Sequence, residues 1–403
     1  VGFYLLTQAP TQYVVYYDQQ RRMIVAARDL SSGRWKRKVL DSALGWDSHN
    51  YVTMAVDRSG HLHLSGNMHG DPLVYFRSEK PGDIHTLTRV PAMVGQREQR
   101  CTYPRFLRGP HDELVYTYRD GGSGRGARLY NVYDEPSRTW RRLLDTPLLD
   151  GRGLMNAYPA GPQKGPDGYY HMCWVWRDTP DCSTNHDVCY ARSSNLVRWE
   201  TAAGDPVDLP ITIDTRGVVV DPVPAKGGVI NGNTRVGFDS DRRPIVSYHK
   251  FDSGGNTQIY NARFEGDRWR IYQASDWDYR WYFEGGGSIH FEIRVSPVRS
   301  GADGTLSQHY SHPKYGSGVW RLDAATLKPV GELPKAPTWP EGLRGPQSEY
   351  PGMRVKWQAD SGRSDRPGTR YVLRWETLGP NRDRPRADVP PPSMLTLYQL
   401  ERD

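Results

Sequence analysis

Strand-period alternation runs through this chain almost from end to end and constrains its fold more than any other feature. The stretches QYVVYYD, RMIVAARD, YVTMAVD, HLHLSG, ELVYTYRD, RLYNVYD, PIVSYHK, QIYNARF, RYVLRWE and MLTLYQL alternate apolar and polar residues. A period of two marks strands with one buried face, and no segment of helical period competes with it. Among the 403 residues are 41 Gly and 31 Pro, with 25 Tyr and 13 Trp against only 8 Phe. Tyr and Trp suit half-buried strands, and Gly and Pro suit the tight turns between them. Apolar runs stay well short of a membrane span, so a soluble protein without membrane partners is expected.

The strands recur in a fixed order. The turn DRSG at 57–60 precedes a strand and is echoed by GPHDE, GPDG, DSDRRP and GADG farther along. Each unit also carries a Trp strand, as in GRWKRKVL, RTWRRLL, VRWETA, DRWRIYQ and GVWRLDA. The spacing, about 50 to 70 residues, is that of propeller blades. Units fall at 12–40, 51–95, 103–145, 156–202, 233–274, 288–331 and 347–400. The expectation is therefore one all-β domain over 1–403, a seven-bladed β-propeller of four-stranded antiparallel blades. Radial repetition protects most sheet edges. A β-helix would show shorter repeats, and two sandwiches would need a linker. The N-terminal VGFYLLTQ and the C-terminal MLTLYQLERD are expected to complete one blade between them.

Charge narrows the partner. The formal net charge is +7, which suits an anion such as an acidic polysaccharide. No Lys/Arg-rich tract or RNA-binding signature occurs, so nucleic acid is not expected. Of four cysteines, Cys173, Cys182 and Cys189 cluster; this allows one or two disulfides, buried thiols, or a zinc site with His171. The chain opens on Val1 rather than Met, as expected if a leader has been removed from a secreted or periplasmic protein.

Antiparallel neighbours place the start of a blade's first strand, the end of its second and the start of its third at one sheet end. Unusual side chains recur there in consecutive units. His49 precedes YVTMAVD and His69 follows HLHLSGNM, while Tyr103 opens YPRFL and Arg119 ends ELVYTYR. Tyr158 opens the next unit, Arg177 ends YYHMCWVWR, and Asn185 and His186 precede DVCYARS. Asn233 and Arg235 open the unit after that, and His249 and Lys250 end PIVSYHK. His61 and His63 lie at the opposite sheet end and read as structural. Each residue alone is more often a packing or turn residue: Arg177 could stack on Trp174 or Trp176, and Arg119 could pair with Asp120. Recurrence at one topological position points to a cleft. Paired carboxylates for hydrolysis are missing from the set, in which Asp47 is the only nearby acid. Arg119 argues against a metal on His49 and His69.

DSHNYVTMAVDRSGHLHLSGNMH, TYPRF, YRDGGSGRG and WVWRDTPDCSTNHDVCYARS resemble the BNR-repeat-like propeller lyases, which include ulvan lyases and L-rhamnose-α-1,4-D-glucuronate lyases. The resemblance is strongest over residues 45–200. It implies a seven-bladed propeller that cleaves the bond to O4 of a uronic acid by β-elimination. It also implies His49, His69, Tyr103 and Arg119 as catalytic residues, and Asn185 and His186 as substrate contacts. Asn50, Tyr158, Arg177, Arg235 and His249 extend the expected binding set.

The chemistry fits these roles. Arg119 would neutralise the uronate carboxylate with a planar fork, assisted by His69. His49 would take the C5 proton as neutral imidazole, and Tyr103 would protonate the departing O4. The His and Tyr roles exchange with the C5 epimer. No cofactor is required, and the resemblance permits a structural calcium or zinc without assigning ligands. The protein is expected to act as a monomer. The alternatives are a rhamnosidase-type glycoside hydrolase and a propeller that binds acidic glycans without cleaving them.

Overall fold

The computed structural model describes residues 1–335, 339–362, 364 and 366–401. Arg402 and Asp403, the end of the predicted last strand, lie outside the described residues. Seven antiparallel sheets follow one another along the chain. Helix among the described residues is limited to single 3-10 turns at Ile84–Thr86, Cys182–Thr184 and Glu341–Leu343.

Blade 1 illustrates how the pattern becomes a sheet. Its strands are Tyr4–Gln8, Thr11–Tyr17, Arg22–Asp29 and Trp35–Ala43, paired in sequence order. The second and third are buried along their middles, because neighbouring blades cover both faces, whereas the fourth is mostly exposed. The recurring turns work through one backbone device. In DRSG the Gly60 N–H donates to the Asp57 carbonyl, and in GPDG the Gly168 N–H donates to the Gly165 carbonyl. Both glycines have φ near +90°, at +86° and +88°, which glycine adopts without a Cβ penalty.

The first strands of blades 7, 1, 2 and 3 touch one another in series, as strands around an axis do. Apolar cores lie between blades. One cluster joins blades 1, 2 and 3, others join 3 to 4, 4 to 5 and 5 to 6, and a small one joins 7 to 1.

Ring closure departs from expectation. Tyr4–Gln8 belongs to blade 1, and Thr396–Glu401 pairs with Thr369–Leu378 in blade 7, so no blade is shared between the termini. Blade 7 has three strands, Met353–Ala359, Thr369–Leu378 and Thr396–Glu401. The seam closes through loop contacts instead. The Ser361 N–H donates to the Leu5 carbonyl at 2.9 Å, and the Thr7 N–H donates to the Asp360 carboxylate at 2.8 Å. Phe3 stacks on Trp375 with ring centroids 4.6 Å apart.

Cys101, Cys173, Cys182 and Cys189 are all free and buried, so the disulfide reading gives way to the thiol one. Burial raises Cys173 to about 11, which keeps it an unreactive thiol. The zinc reading with His171 also fails. Its two ring nitrogens bond the Tyr190 hydroxyl at 2.6 Å and the Asp167 carboxylate at 2.8 Å.

Candidate active site

Blades 2 and 3 build the centre of the site. His49 precedes the strand Val52–Val56. His69 begins a three-residue strand, His69–Asp71, that leaves blade 2 and adds to the inner edge of blade 3, with Thr102 opposite it. Thr102 then links two elements. Its hydroxyl accepts from the Gly70 N–H at 2.8 Å and from Arg119 Nη2 at 3.1 Å. Between Thr102 and Arg105 the strand slips register, and within that bulge Tyr103 has φ +55°. A non-glycine residue in the left-handed region costs backbone energy and occurs where the surroundings fix an unusual side-chain direction.

Tyr103 is the hub of the cluster. Its ring centroid is 6.1 Å from that of His49, 6.0 Å from that of His69 and 6.3 Å from that of Tyr158. The Arg119 guanidinium carbon lies 5.0 Å from the Tyr103 ring centroid, within cation–π range. Burial pushes the phenol well above its ordinary value, with Arg119 opposing. Tyr103 therefore keeps its proton throughout the neutral range.

The two imidazoles share one carboxylate. His49 Nδ1 lies 2.8 Å from Asp47 Oδ1, and His69 Nδ1 bonds Asp47 Oδ2. The rings lie with centroids 4.4 Å apart, tilted by 32° to each other. Burial alone would raise Asp47, but hydrogen bonds from both histidines outweigh it and hold the carboxyl well below the aspartate range. An ionised carboxylate only accepts, so each Nδ1 carries a proton, and Nε2 is the nitrogen left to face a ligand. Both side chains are about one quarter exposed, at 25% and 24%.

Two further groups escaped the sequence reading. Asp383 arrives from the loop of blade 7, accepting from the Ser48 N–H and hydroxyl at 3.0 and 2.7 Å and from the Ser288 N–H at 2.9 Å. Its Oδ2 is 3.3 Å from His49 Nδ1. Arg128 lies directly opposite Arg119 in the strand register. Both arginines are buried, and neither has a carboxylate partner among the described residues. Such a pair favours an anionic ligand. Strand alternation in ELVYTYR and RLYNVYD could have located Arg128; nothing in the sequence marks Asp383.

Of the wider predicted set, Tyr158 joins the cluster. Its hydroxyl meets Arg119 Nη1 at 3.4 Å and the Ser123 hydroxyl at 2.7 Å, and Arg177 approaches its ring at 5.5 Å. Arg177 stacks on neither tryptophan; it holds the following loop by donating to the Thr179 and Pro180 carbonyls. Asp120 pairs with Arg97 rather than Arg119. Asn50 donates to the Asn67 side chain, and Asn185 is fully buried, donating to the Cys182 carbonyl and the Asn231 side chain. His186 lies between Asp178 and Asp187, at 2.9 Å from each. Arg235 donates to the Thr234 carbonyl. His249 is buried against Trp281 and Phe283, and burial lowers it to about 3, which removes it from any open surface. Lys250 pairs with Asp221 at 2.6 Å. His63 is buried in its blade between Tyr75 and Asp57.

Among the described residues, the grouping of three or more metal-type side chains is Asp47, His49 and His69. Its two nitrogens and one carboxylate are not a calcium set, which is all oxygen. They would suit zinc, but Asp47 already receives both Nδ1 protons, and Arg119 stands across Tyr103 from them.

Known structures reproduce the whole architecture. A polysaccharide lyase described as an ulvan lyase superposes with a TM-score of 0.62 at 14% identity, over 98% of this chain and 91% of that one. A second polysaccharide lyase gives 0.63 at 13% identity, over 99% and 90%. An ulvan lyase bound to -[GlcA(1-4)Rha3S]- gives 0.61 at 13% identity, over 98% and 91%. These likenesses establish a shared fold. No curated protein matches the sequence. The model of the BNR repeat-containing family matches residues 11–277, about two thirds of the sequence, and the chain belongs to that family.

Proposed function

We propose that this protein is a polysaccharide lyase that cleaves the bond to O4 of a uronic acid by β-elimination. The expected substrate is a rhamnose-linked glucuronate or iduronate, in an ulvan-like or rhamnosyl-glucuronate glycan. One observation carries the reading: a permanent cation and two oriented imidazoles gather around the protonated phenol of Tyr103. The architecture shared with polysaccharide lyases supports this chemistry by analogy.

The C5 proton of a uronate leaves with difficulty because charge develops beside an existing carboxylate. Arg119, supported by its buried neighbour Arg128, neutralises that carboxylate and favours the enolate-like transition state over the ground state. His49 Nε2 takes the C5 proton, and its orientation comes from Asp47. The C4–O4 bond then breaks, the C4=C5 double bond forms, and the Tyr103 hydroxyl gives its proton to O4. His69 orients the carboxylate. The raised phenol supports this division of labour, because a group that holds its proton at neutral pH serves as the acid.

A glycoside hydrolase is disfavoured by the carboxylates. Asp47 is engaged by both histidines, and Asp383 by Ser48, Ser288 and His49, so neither resembles the free acid–base pair of a glycosidase. Secretion or a periplasmic location, and action as a monomer, accompany the proposal; no helix among the described residues is long and apolar enough to cross a membrane.

The test is product chemistry. Incubation with ulvan and with a rhamnosyl-glucuronate glycan should produce a 4,5-unsaturated uronate with new ultraviolet absorbance. Saturated rhamnose release would indicate the hydrolase, and binding without products would indicate a lectin.

A further inference from the structure

A large concavity lies away from the histidines. It is a cleft of about 1380 Å³ between blades 1 and 7, where blade 7 has no fourth strand to cover the neighbouring sheet. Its walls combine two kinds of side chain. Trp35, 48% exposed, and Tyr16, Trp375 and Met394 give apolar surface, while Arg28, Lys36 and Arg37 give positive charge. The acids in the lining are already paired: Asp18 with Arg22, which also lines the cleft, and Glu376 with Arg374. Among the described residues no carboxylate pairs with Arg28, Lys36 or Arg37, and Arg28 Nε is buried without a hydrogen-bond partner.

Two segments of the lining adjoin, along the chain, segments that belong to the site. One wall includes Arg21 and Leu44; the Leu44 N–H donates to the Arg21 carbonyl, and the Arg21 guanidinium lies 3.7 Å from the centroid of Trp46, the residue before Asp47. The other wall includes Pro392, Ser393 and Met394, from the same loop that supplies Asp383.

We infer that this cleft is a second binding site for an acidic polysaccharide, holding a stretch of the chain remote from the bond being cleaved. The inference rests on the acidic-glycan reading above. Uronate carboxylates complement the unpaired cations, and flat sugar faces complement Trp35 and Tyr16. A volume above the range usual for small-molecule pockets fits an oligosaccharide segment rather than one sugar. Binding energy from such a remote segment lowers the concentration of polymer needed without touching the reacting atoms.

The test compares the intact protein with the triple variant Trp35→Ala, Lys36→Glu, Arg37→Glu, whose three side chains are exposed and outside the catalytic cluster. Retention on ulvan in affinity electrophoresis should weaken by about tenfold. KM for ulvan should rise in parallel, with kcat and KM for a tetrasaccharide cut from it unchanged. Retention on ulvan equal to that of the intact protein would overturn the inference, as would an equal loss on the tetrasaccharide. The two readings separate cleanly. Should no unsaturated uronate form while the variant still loses retention, the cleft stands and the lyase falls. Turnover with unchanged retention means the reverse: the lyase stands and the cleft falls.

Discussion

Blades 2 to 4 and the seam from blade 6 to blade 1 are built differently, although both contribute to one site. In the first region, large buried clusters lock successive sheets together, and Tyr118, Trp174 and Trp176 are almost fully inaccessible. At the seam, the cluster between blades 7 and 1 is Leu5, Val14, Ala26, Tyr371, Leu373 and Trp375, and among the described residues no buried cluster joins blade 6 to blade 7. Loops hold the seam: Arg382 donates to the Glu284 and Gly286 carbonyls, and Asp383 bridges Ser48 and Ser288. The dense half supplies the proposed reacting groups on strand ends. The loose half supplies a carboxylate that steadies one of them.

If that division is real, substitutions in the dense half should act on chemistry and those at the seam on alignment. The largest effect is expected for Tyr103→Phe. Losing the general acid should lower kcat by about 10²–10⁴-fold, with binding of ulvan to the variant little changed; near-normal turnover would remove Tyr103 from its role. Asp47→Asn comes next. An amide still occupies the space, but its NH2 group no longer accepts from an Nδ1–H, so one or both imidazoles turn or change tautomer. A fall on the order of 10²-fold in kcat is expected, by the same logic that makes the orienting acid of a catalytic triad important. The substitution also has an acid-stability signature. Because Asp47 is depressed in the folded protein, its stabilising contribution is complete above the ordinary aspartate range, about 4. That contribution is lost only as pH falls through the depressed value. Unfolding midpoints of the two proteins should therefore converge in strong acid.

Asp383→Asn is the matching probe of the seam. Asp383 is likewise depressed: burial raises it, but bonds from Ser48 and the charge of His49 prevail. Its loss should free the 47–49 segment and cost about three- to tenfold in kcat, with product identity unchanged. A loss as deep as that of Asp47→Asn would show that the loose half participates in the chemistry as fully as the dense one.

The same contrast explains what could be read from the sequence. Blade number and the shared end of His49, His69, Tyr103 and Arg119 follow from strand phase, because antiparallel pairing converts a position along a strand into a position in space; the first unit, read as 12–40, left out Tyr4–Gln8. Details that depend on a broken phase were hidden. His69 sits on an extra edge strand, and Tyr103 in a bulge. Asp383 is 335 residues from Ser48 and belongs to no strand, so no periodicity could place it. Burial was misjudged at Asn185 and His249, because a strand end next to a long loop is covered by it: Cys182–Thr184 leads directly into Asn185, and Trp281 and Phe283 close over His249. Terminal closure failed for a related reason: strand phase identifies VGFYLLTQ and MLTLYQLERD as strands but does not say which neighbour each pairs with.

The smallest expected effect lies at the outer margin of the dense half, in His186. Burial alone would lower its pKa, but Asp187 and Asp178 reverse that and the net shift is upward. A raised imidazole stabilises the fold fully below its unfolded value, about 6.5, and the contribution disappears as pH rises through the folded value. His186→Gln removes this dependence, so its Tm should lie below that of the intact protein at pH 5–6 and approach it in mild alkali. Asp178 is 41% exposed, so solvent screens the pair and the gap should be no more than about 2 °C. Turnover on ulvan at neutral pH is the second readout. A loss of activity larger than the change in stability would mean that His186 touches the sugar chain. In that case blade 4 contributes more than Tyr158, and the substrate-binding surface reaches its strand Asn185–Ser193.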